Sequence, residues 1–80
     1  MSQPLTIQLN DKPRTLESIE DPSTLDVVIA ALELKPDRIA VELNGEIVRR
    51  AAWPATAVSS HDRLEIVHFV GGGLGRLKTL

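Results

Sequence analysis

Three consecutive glycines, Gly71, Gly72 and Gly73, follow directly after the largely apolar segment Leu64–Val70. The run carries β-branched and aromatic residues and therefore predicts a strand. Glycine offers no side chain to bury and loses the most backbone freedom on ordering, so three of them do not form a packed element. We interpret the pattern as a strand that releases a bare chain from the folded body. Such a chain suits an enzyme that draws a polypeptide terminus through a narrow channel, whereas a linker or a turn is the simpler alternative.

Other groups that could do chemistry are few. The glycine run lacks the Lys-Ser/Thr pair of a phosphate-binding loop, and no helix of useful length follows it. His61 and His68 are too few for a metal site, and the chain has no cysteine to add a thiolate ligand or a nucleophile. His68 has no nucleophile to activate, and the scattered acids form no acid–base pair. We therefore predict no catalytic residue and no metal site, and any sulfur chemistry must use a group other than a side-chain thiol.

Length and charge exclude further classes of function. The chain has 80 residues and a net charge of −2. It is one small domain, too small to enclose a deep catalytic cavity of its own. Its dispersed basic residues do not support nucleic-acid binding, while a mildly acidic body could complement a basic docking face. Since no apolar run approaches membrane-spanning length and the N-terminus has no secretory pattern, we expect a soluble cytoplasmic protein with no membrane contact.

The N-terminal residues predict a hairpin. Leu5–Leu9 alternates apolar and polar residues with the period of a half-buried strand. Asn10-Asp11 is a turn, since both residue types tolerate left-handed backbone geometry. Lys12–Leu16 is the return strand, which Pro13 places at a sheet edge because proline cannot donate to a ladder. We expect Glu17–Ser23 to be a polar connection.

A helix and a second hairpin come next. Apolar residues at helical spacing, namely Leu25, Val28, Ile29 and Leu32, predict a helix of about ten residues. We expect Ser23 or Thr24 to cap its start, and Lys35 and Pro36 to mark its end. Ile39–Leu43 is a third strand, Asn44-Gly45 predicts a type I′ turn, and Glu46–Val48 is the short partner strand. Arg49–Ser60 is then irregular, with Trp53 covering one end of the sheet.

The element order is therefore β-β-α-β-β-β. A right-handed crossover through the helix lets the closing strand pair parallel to the first strand, at the centre of a mixed sheet. That arrangement is the α+β class with the β-grasp, or ubiquitin-like, architecture. We assign residues 1–70 to the β-grasp domain. Residues 71–80 are then a flexible glycine-rich tail with an extension beyond the diglycine.

Several segments together resemble the ThiS family, the sulfur carrier proteins of thiamine biosynthesis. The segments are Leu9-Asn10-Asp11, Thr24-Leu25, Ala40–Gly45, Ile47-Val48-Arg49, Trp53, Asp62–Val67 and Val70–Gly73. The resemblance covers residues 5–73. Its segments occur in the family's order and spacing, and the last of them ends in a diglycine.

The resemblance implies a protein co-substrate and not an enzyme. In this family a ubiquitin-activating-like adenylyltransferase uses ATP to adenylate the C-terminal glycine. A persulfide donor protein then converts it to a thiocarboxylate, and thiazole synthase takes the sulfur. Carried onto this chain, the reacting carboxylate belongs to Gly73, with Gly72 as its companion and Gly71 in the tail. No permanently bound cofactor is implied.

The closing strand also presents the surface we expect partners to contact. Alternation points Leu64 and Ile66 into the core, and it points Glu65, Val67 and Phe69 outward on the sheet face opposite the helix. Together with Glu42 on the neighbouring strand, these outward residues form the predicted docking face. The alternative for Phe69 is that it folds back against the sheet edge.

The chain departs from the family pattern by continuing through Leu74–Leu80. While these residues remain, Gly73 has a peptide bond in place of a carboxylate and cannot be adenylated. We expect a processing protease to remove the extension, or the extension to be dispensable. A remnant of a neighbouring domain and a family member that has lost sulfur transfer are the alternatives.

Two other functions stay open from the sequence. One is a sulfur carrier for the molybdenum cofactor or for another pathway. The other is a ubiquitin-like interaction module that is never activated, in which the glycines are a linker. An independent small enzyme is the weakest interpretation, because nothing supplies a pocket with convergent polar groups. A free monomer suits a carrier that docks on two enzymes in turn.

Overall fold

The computed structural model describes residues 3–69 and 77–79. Its strands, in chain order, are β1 Pro4–Leu9, β2 Lys12–Glu20, β3 Ser23–Thr24, β4 Ile39–Leu43, β5 Glu46–Ile47, β6 Ala57–Val58, β7 Arg63–Phe69 and β8 Leu77–Thr79. The described α-helix, α1, spans Leu25–Ala31, and 3₁₀ turns span Pro36–Arg38 and Arg50–Ala55. No helix in this part of the chain is both long and apolar enough to cross a membrane.

The main sheet is mixed and follows the order β2-β1-β7-β4-β5. β7 runs parallel to β1 and antiparallel to β4, and β8 pairs with β7 outside that path. The predicted β-grasp architecture is confirmed, with the closing strand between neighbours and the strand of Pro13 at the edge. Asn44 and Gly45 have φ values of 52° and 88°, as the predicted type I′ turn requires.

One hydrophobic core lies between the sheet and α1. Its side chains come from the main sheet, from α1, from the 3₁₀ turn Arg50–Ala55 and from β6, namely Leu5, Ile7, Leu16, Ile19, Leu25, Val28, Ile29, Ile39, Val41, Trp53, Val58, Leu64 and Ile66. Trp53 is only 4% exposed, and its Nε1 donates to the Val48 carbonyl at 2.9 Å. Its predicted place in the core is confirmed.

The helix ends earlier than predicted. α1 stops at Ala31, and the chain then turns at Glu33, which has a φ of 58°. The Glu33 amide donates to the Ala30 carbonyl and the Leu34 amide donates to the Ile29 carbonyl, which together form a Schellman motif. Pro36 therefore does not stop the helix but begins a separate 3₁₀ turn.

The predicted connection over Glu17–Ser23 is wrong for most of its length. β2 continues to Glu20, because Leu16 and Ile19 both reach the core. Their spacing of three residues breaks the alternation that indicates a strand. The ladder accommodates the extra residues by a register shift, with Leu5 opposite Leu16 but Pro4 opposite Glu20.

Candidate docking face and strand exit

The tail residues Gly71, Gly72 and Gly73 lie outside the described residues, as does Val70. The structure therefore describes the strand that leads to them and the segment that follows them. β7 ends at Phe69, and the chain is described again from Leu77. The assignment of a carrier carboxylate to Gly73 stays a prediction.

β7 is held on both of its long edges. On one edge, β4 pairs with it over five positions, from Ile39 opposite His68 to Leu43 opposite Leu64. On the other edge, the amides of Gln8 and Asn10 donate to the carbonyls of Asp62 and Leu64, both at 2.9 Å. The strand before the glycines is therefore fixed from its first residue by main-chain hydrogen bonds to two neighbours.

Asn10 extends this second edge with its side chain. Its Oδ1 accepts from the Ile66 amide at 2.8 Å, and its Nδ2 donates to the Ile66 carbonyl at 3.2 Å. A carboxamide carries one acceptor and one donor group, as a peptide unit does, so it replaces one rung of the ladder. The local sequence pattern around Asn10 indicates only a turn, and nothing in it indicates a partner 56 residues away.

β8 occupies the same edge beyond Asn10. Its register places Thr79 opposite Val67, Lys78 opposite His68 and Leu77 opposite Phe69. The sequence does not indicate this strand, since three residues are too few to show alternation. The segment after the glycines thus returns to the strand that precedes them.

The predicted docking residues are brought together where side chains are described. Glu42 lies directly opposite Glu65 across the β4–β7 ladder, and Ala40 lies directly opposite Val67. Glu65 is exposed, while Glu42 and Val67 are half-buried. The Phe69 side chain lies outside the described set, so its outward orientation stays a prediction.

Ile47 belongs to the same face, and sequence analysis did not identify it. It is 76% exposed and lies directly opposite Glu42 on β5. Directly opposed residues project to the same side of a sheet, so Ile47, Glu42 and Glu65 form a row across three strands. An apolar residue in a two-residue strand gives no alternation from which its face could be read.

The two opposed carboxylates are electrostatically unfavourable for the isolated domain. Like charges directly opposite one another destabilise a strand pair. Among the residues whose side chains are described, 3–68, the recorded ion pair joins Arg38 and Asp37, and no cation is paired with Glu42 or Glu65. Within this part of the chain no group of acids and histidines could hold a metal ion. The face therefore presents two carboxylates without a paired cation beside the exposed apolar side chain of Ile47.

The fold and the site together define a class of protein. A mixed sheet with one main helix across it, and a central closing strand that leads into glycines, characterise ubiquitin-like β-grasp domains. The chain belongs to the ThiS family, whose model matches residues 7–73. This span includes the whole of β7 and the glycine run.

Individual relatives agree with the family assignment. The chain is 34% identical over 67 residues to the sulfur carrier protein ThiS of Bacillus subtilis, which covers 84% of this chain and 98% of that protein. The crystal structure of the thiamine biosynthesis protein ThiS from Geobacter metallireducens superposes with a TM-score of 0.74 and is 33% identical. The match covers 86% of this chain and 100% of that one.

A relative of a different size is also similar. A thiazole synthase of Magnetococcus marinus is 35% identical over 69 residues, which cover 86% of this chain. The chain spans only 20% of the length of that relative. The similarity therefore concerns one part of a larger protein.

Proposed function

We propose that this chain is a sulfur carrier of thiamine biosynthesis and that its sulfur is carried on the main-chain carboxyl carbon of Gly73. The observation that supports the proposal is the family match over residues 7–73, which spans the central strand and the glycines after it. A relative of nearly the same extent is named a sulfur carrier protein. The chain acts as a protein co-substrate, and the catalytic groups belong to its partners.

The chemistry explains why no side chain of the carrier is needed. A carboxylate oxygen of Gly73 attacks the α-phosphorus of ATP on a ubiquitin-activating-like adenylyltransferase, and pyrophosphate leaves. The terminal sulfur of a persulfide donor protein then attacks the acyl carbon, and AMP leaves. A thiol cleaves the resulting S–S bond and is itself oxidised to a disulfide, which frees the thiocarboxylate. The chain has no cysteine, so it offers no thiol of its own to compete.

A free carboxylate at Gly73 requires that residues 74–80 be removed, and we assign this step to a processing protease. Thiazole synthase is the proposed acceptor of the sulfur. Two thiazole synthases, of Magnetococcus marinus and Paramagnetospirillum magneticum, contain a part similar to this chain, at 35% and 40% identity. A carrier and its acceptor that are joined in one protein would act in successive steps, which favours thiamine biosynthesis over the molybdenum cofactor.

We further propose that Glu42, Glu65, Val67 and Phe69 dock on the activating enzyme, with Ile47 at the margin. The unpaired carboxylates of Glu42 and Glu65 attract a basic partner surface, and the apolar side chains supply area to bury. Glu65, Val67 and Phe69 of this face belong to β7, the strand that leads to the glycines. Docking there would direct the tail toward the ATP site of the enzyme.

The activation test compares two forms of the chain. A chain that ends at Gly73 is incubated with the activating enzyme of the same organism, ATP and the persulfide donor. We expect release of pyrophosphate and a mass increase equal to the replacement of one oxygen by sulfur. The full chain is the control and should show neither change. A complex that forms without pyrophosphate release from the shorter chain would instead indicate a docking module.

The docking test uses two matched charge changes. Glu65→Gln alters the proposed face, whereas Glu46→Gln makes the same change opposite Leu43, on the other side of the sheet. We expect Glu65→Gln to weaken binding to the activating enzyme by about 1 kcal/mol, roughly fivefold, and less at high salt. Equal effects of the two variants would exclude this face as the contact surface.

A further inference from the structure

A cleft of about 400 Å³ lies between the β1–β2 hairpin and the chain that follows α1. Its apolar walls include Leu9, Leu32 and Leu34, which are half-buried and pack against the hydrophobic core. Because α1 ends at Ala31, the cleft is lined on this side by the residues after the helix. The cleft is therefore an extension of the core that opens to solvent at the end of the hairpin.

Two basic side chains form the rim of the cleft. Lys12 is the register partner of Leu9, and Arg14 is the register partner of Ile7, which is fully buried. Directly opposed residues project to the same side of a sheet, so both basic side chains are on the side that carries the core. Both are nevertheless exposed, because they stand at the open end of the cleft.

These two cations have no ion-pair partner among the side chains of residues 3–68, since the recorded ion pair involves neither of them. Asp11 and Glu33 adjoin the cleft in sequence, but both are exposed and neither is within ion-pair distance of Lys12 or Arg14. In this part of the chain the positive charge at the rim is therefore not neutralised.

We propose that the cleft binds an acidic, apolar segment of a partner protein. An aliphatic side chain of that segment enters the cleft, and carboxylates on either side of it pair with Lys12 and Arg14. The volume is within the range of small-molecule pockets, about 300–1,000 Å³, but such pockets enclose most of their ligand. Here the rim residues Lys12, Pro13 and Arg14 are exposed, and a partner protein covers the open side itself.

The cleft and the proposed docking face lie on opposite sides of the main sheet. Leu9 of the cleft is the register partner of Leu64, which is buried, whereas Glu65 is exposed on the outer side. The two surfaces also differ in charge, so an acidic segment is attracted to the cleft and repelled by Glu42 and Glu65. The cleft thus selects a partner surface of the opposite charge from the one proposed for the activating enzyme, and both surfaces can be occupied at once.

The test titrates the full chain with an acetylated peptide amide of the sequence Glu-Asp-Leu-Leu-Asp-Glu and follows the backbone amides by NMR. We expect chemical-shift changes at residues 9–14 and 32–34 and a dissociation constant on the order of 1 mM or lower. A control peptide with serines in place of the leucines should bind at least about tenfold more weakly, because it has no apolar side chain to bury.

Two matched double variants test the charges at the rim. Lys12→Gln combined with Arg14→Gln removes them, whereas Arg49→Gln combined with Arg50→Gln removes two charges outside the cleft. All four side chains are exposed, so both variants should fold. We expect the first variant to bind the peptide about two- to thirtyfold more weakly, as the loss of two exposed ion pairs implies, and the second to bind as the unmodified chain does.

Four results would overturn the proposal. The peptide could cause no shift at the cleft amides, the two double variants could weaken binding equally, or the serine peptide could bind as well as the leucine peptide. The fourth concerns a different occupant. Tighter binding of free hexanoate would indicate a small-molecule site, and cleft shifts that appear without peptide as the protein concentration rises would indicate a second copy of the chain.

Discussion

Substitution of Asn10 gives the sharpest test of how β7 is held in the sheet. Asn10 and its neighbour Asp11 both have left-handed backbone geometry, with φ values of 48° and 68°. Only Asn10 bridges both main-chain groups of Ile66, at 2.8 and 3.2 Å. Asn10→Ala and Asp11→Ala therefore impose the same kind of backbone strain, and the difference between them isolates the bridge.

The expected difference follows from the two bonds. A net hydrogen bond contributes about 0.5–1.5 kcal/mol, so the loss of two should make Asn10→Ala about 1–3 kcal/mol less stable than Asp11→Ala. The strain of alanine at positive φ, about 1–2 kcal/mol, is common to both variants and cancels. For a domain of this size each kcal/mol lowers Tm by about 4–8 °C, so a central value near 2 kcal/mol separates the two by ~8–16 °C.

Urea denaturation and thermal unfolding of both variants measure this difference. Asn10→Asp should keep only one of the two hydrogen bonds. A carboxylate still accepts from the Ile66 amide but cannot donate to the Ile66 carbonyl. Its stability should fall below that of the unmodified chain. Equal unfolding free energies for Asn10→Ala and Asp11→Ala would refute the reasoning, since the bridge would then contribute nothing beyond the turn.

Three further predictions concern stability. Trp53→Phe loses the 2.9 Å hydrogen bond to the Val48 carbonyl and should cost about 1–2 kcal/mol in urea denaturation; a neutral result would mean that water replaces the bond fully. Gly45→Ala should cost about 1 kcal/mol through backbone strain alone, because φ is 88° and an added Cβ meets nothing within 4 Å. Glu65→Gln should stabilise the free domain by about 0.2–1 kcal/mol, because it removes the repulsion from Glu42. The gain in stability should shrink as salt is added, and a salt-independent change would contradict an electrostatic origin.

The sheet could be predicted where the signal is local. β4 has the bounds that its alternation predicts, Ile39–Leu43, and the Asn44-Gly45 turn has the expected geometry. Each depends on neighbouring residues alone. α1 ends early because Glu33 adopts a left-handed conformation in which a glycine would be the usual signal.

The role of Asn10 was missed because it depends on a contact distant in sequence, with the main chain of Ile66. Ile47 was missed because a strand of two residues shows no alternation from which its face could be read. The face formed by Glu42, Glu65 and Val67 was predicted, because once β7 is central its alternation fixes which residues point outward. β8 shows no such pattern within three residues, and only its pairing with β7 reveals it.

The residues of β7 that pack in the core alternate with those that face outward, and this alternation has a simple geometric cause. Side chains and main-chain groups both alternate with a period of two along a strand. Leu64 and Ile66 therefore place their side chains in the core and their main-chain groups on the edge of β1, Asn10 and β8. Arg63 and Glu65 place their side chains on the outer face and their main-chain groups toward β4. Substitutions at outward positions can thus change how partners bind without changing the core or the Asn10 bridge. Substitutions at Asn10 should loosen β7 while leaving the side chains of the proposed docking face in place. The proposed docking and the anchoring of β7 can therefore be tested independently.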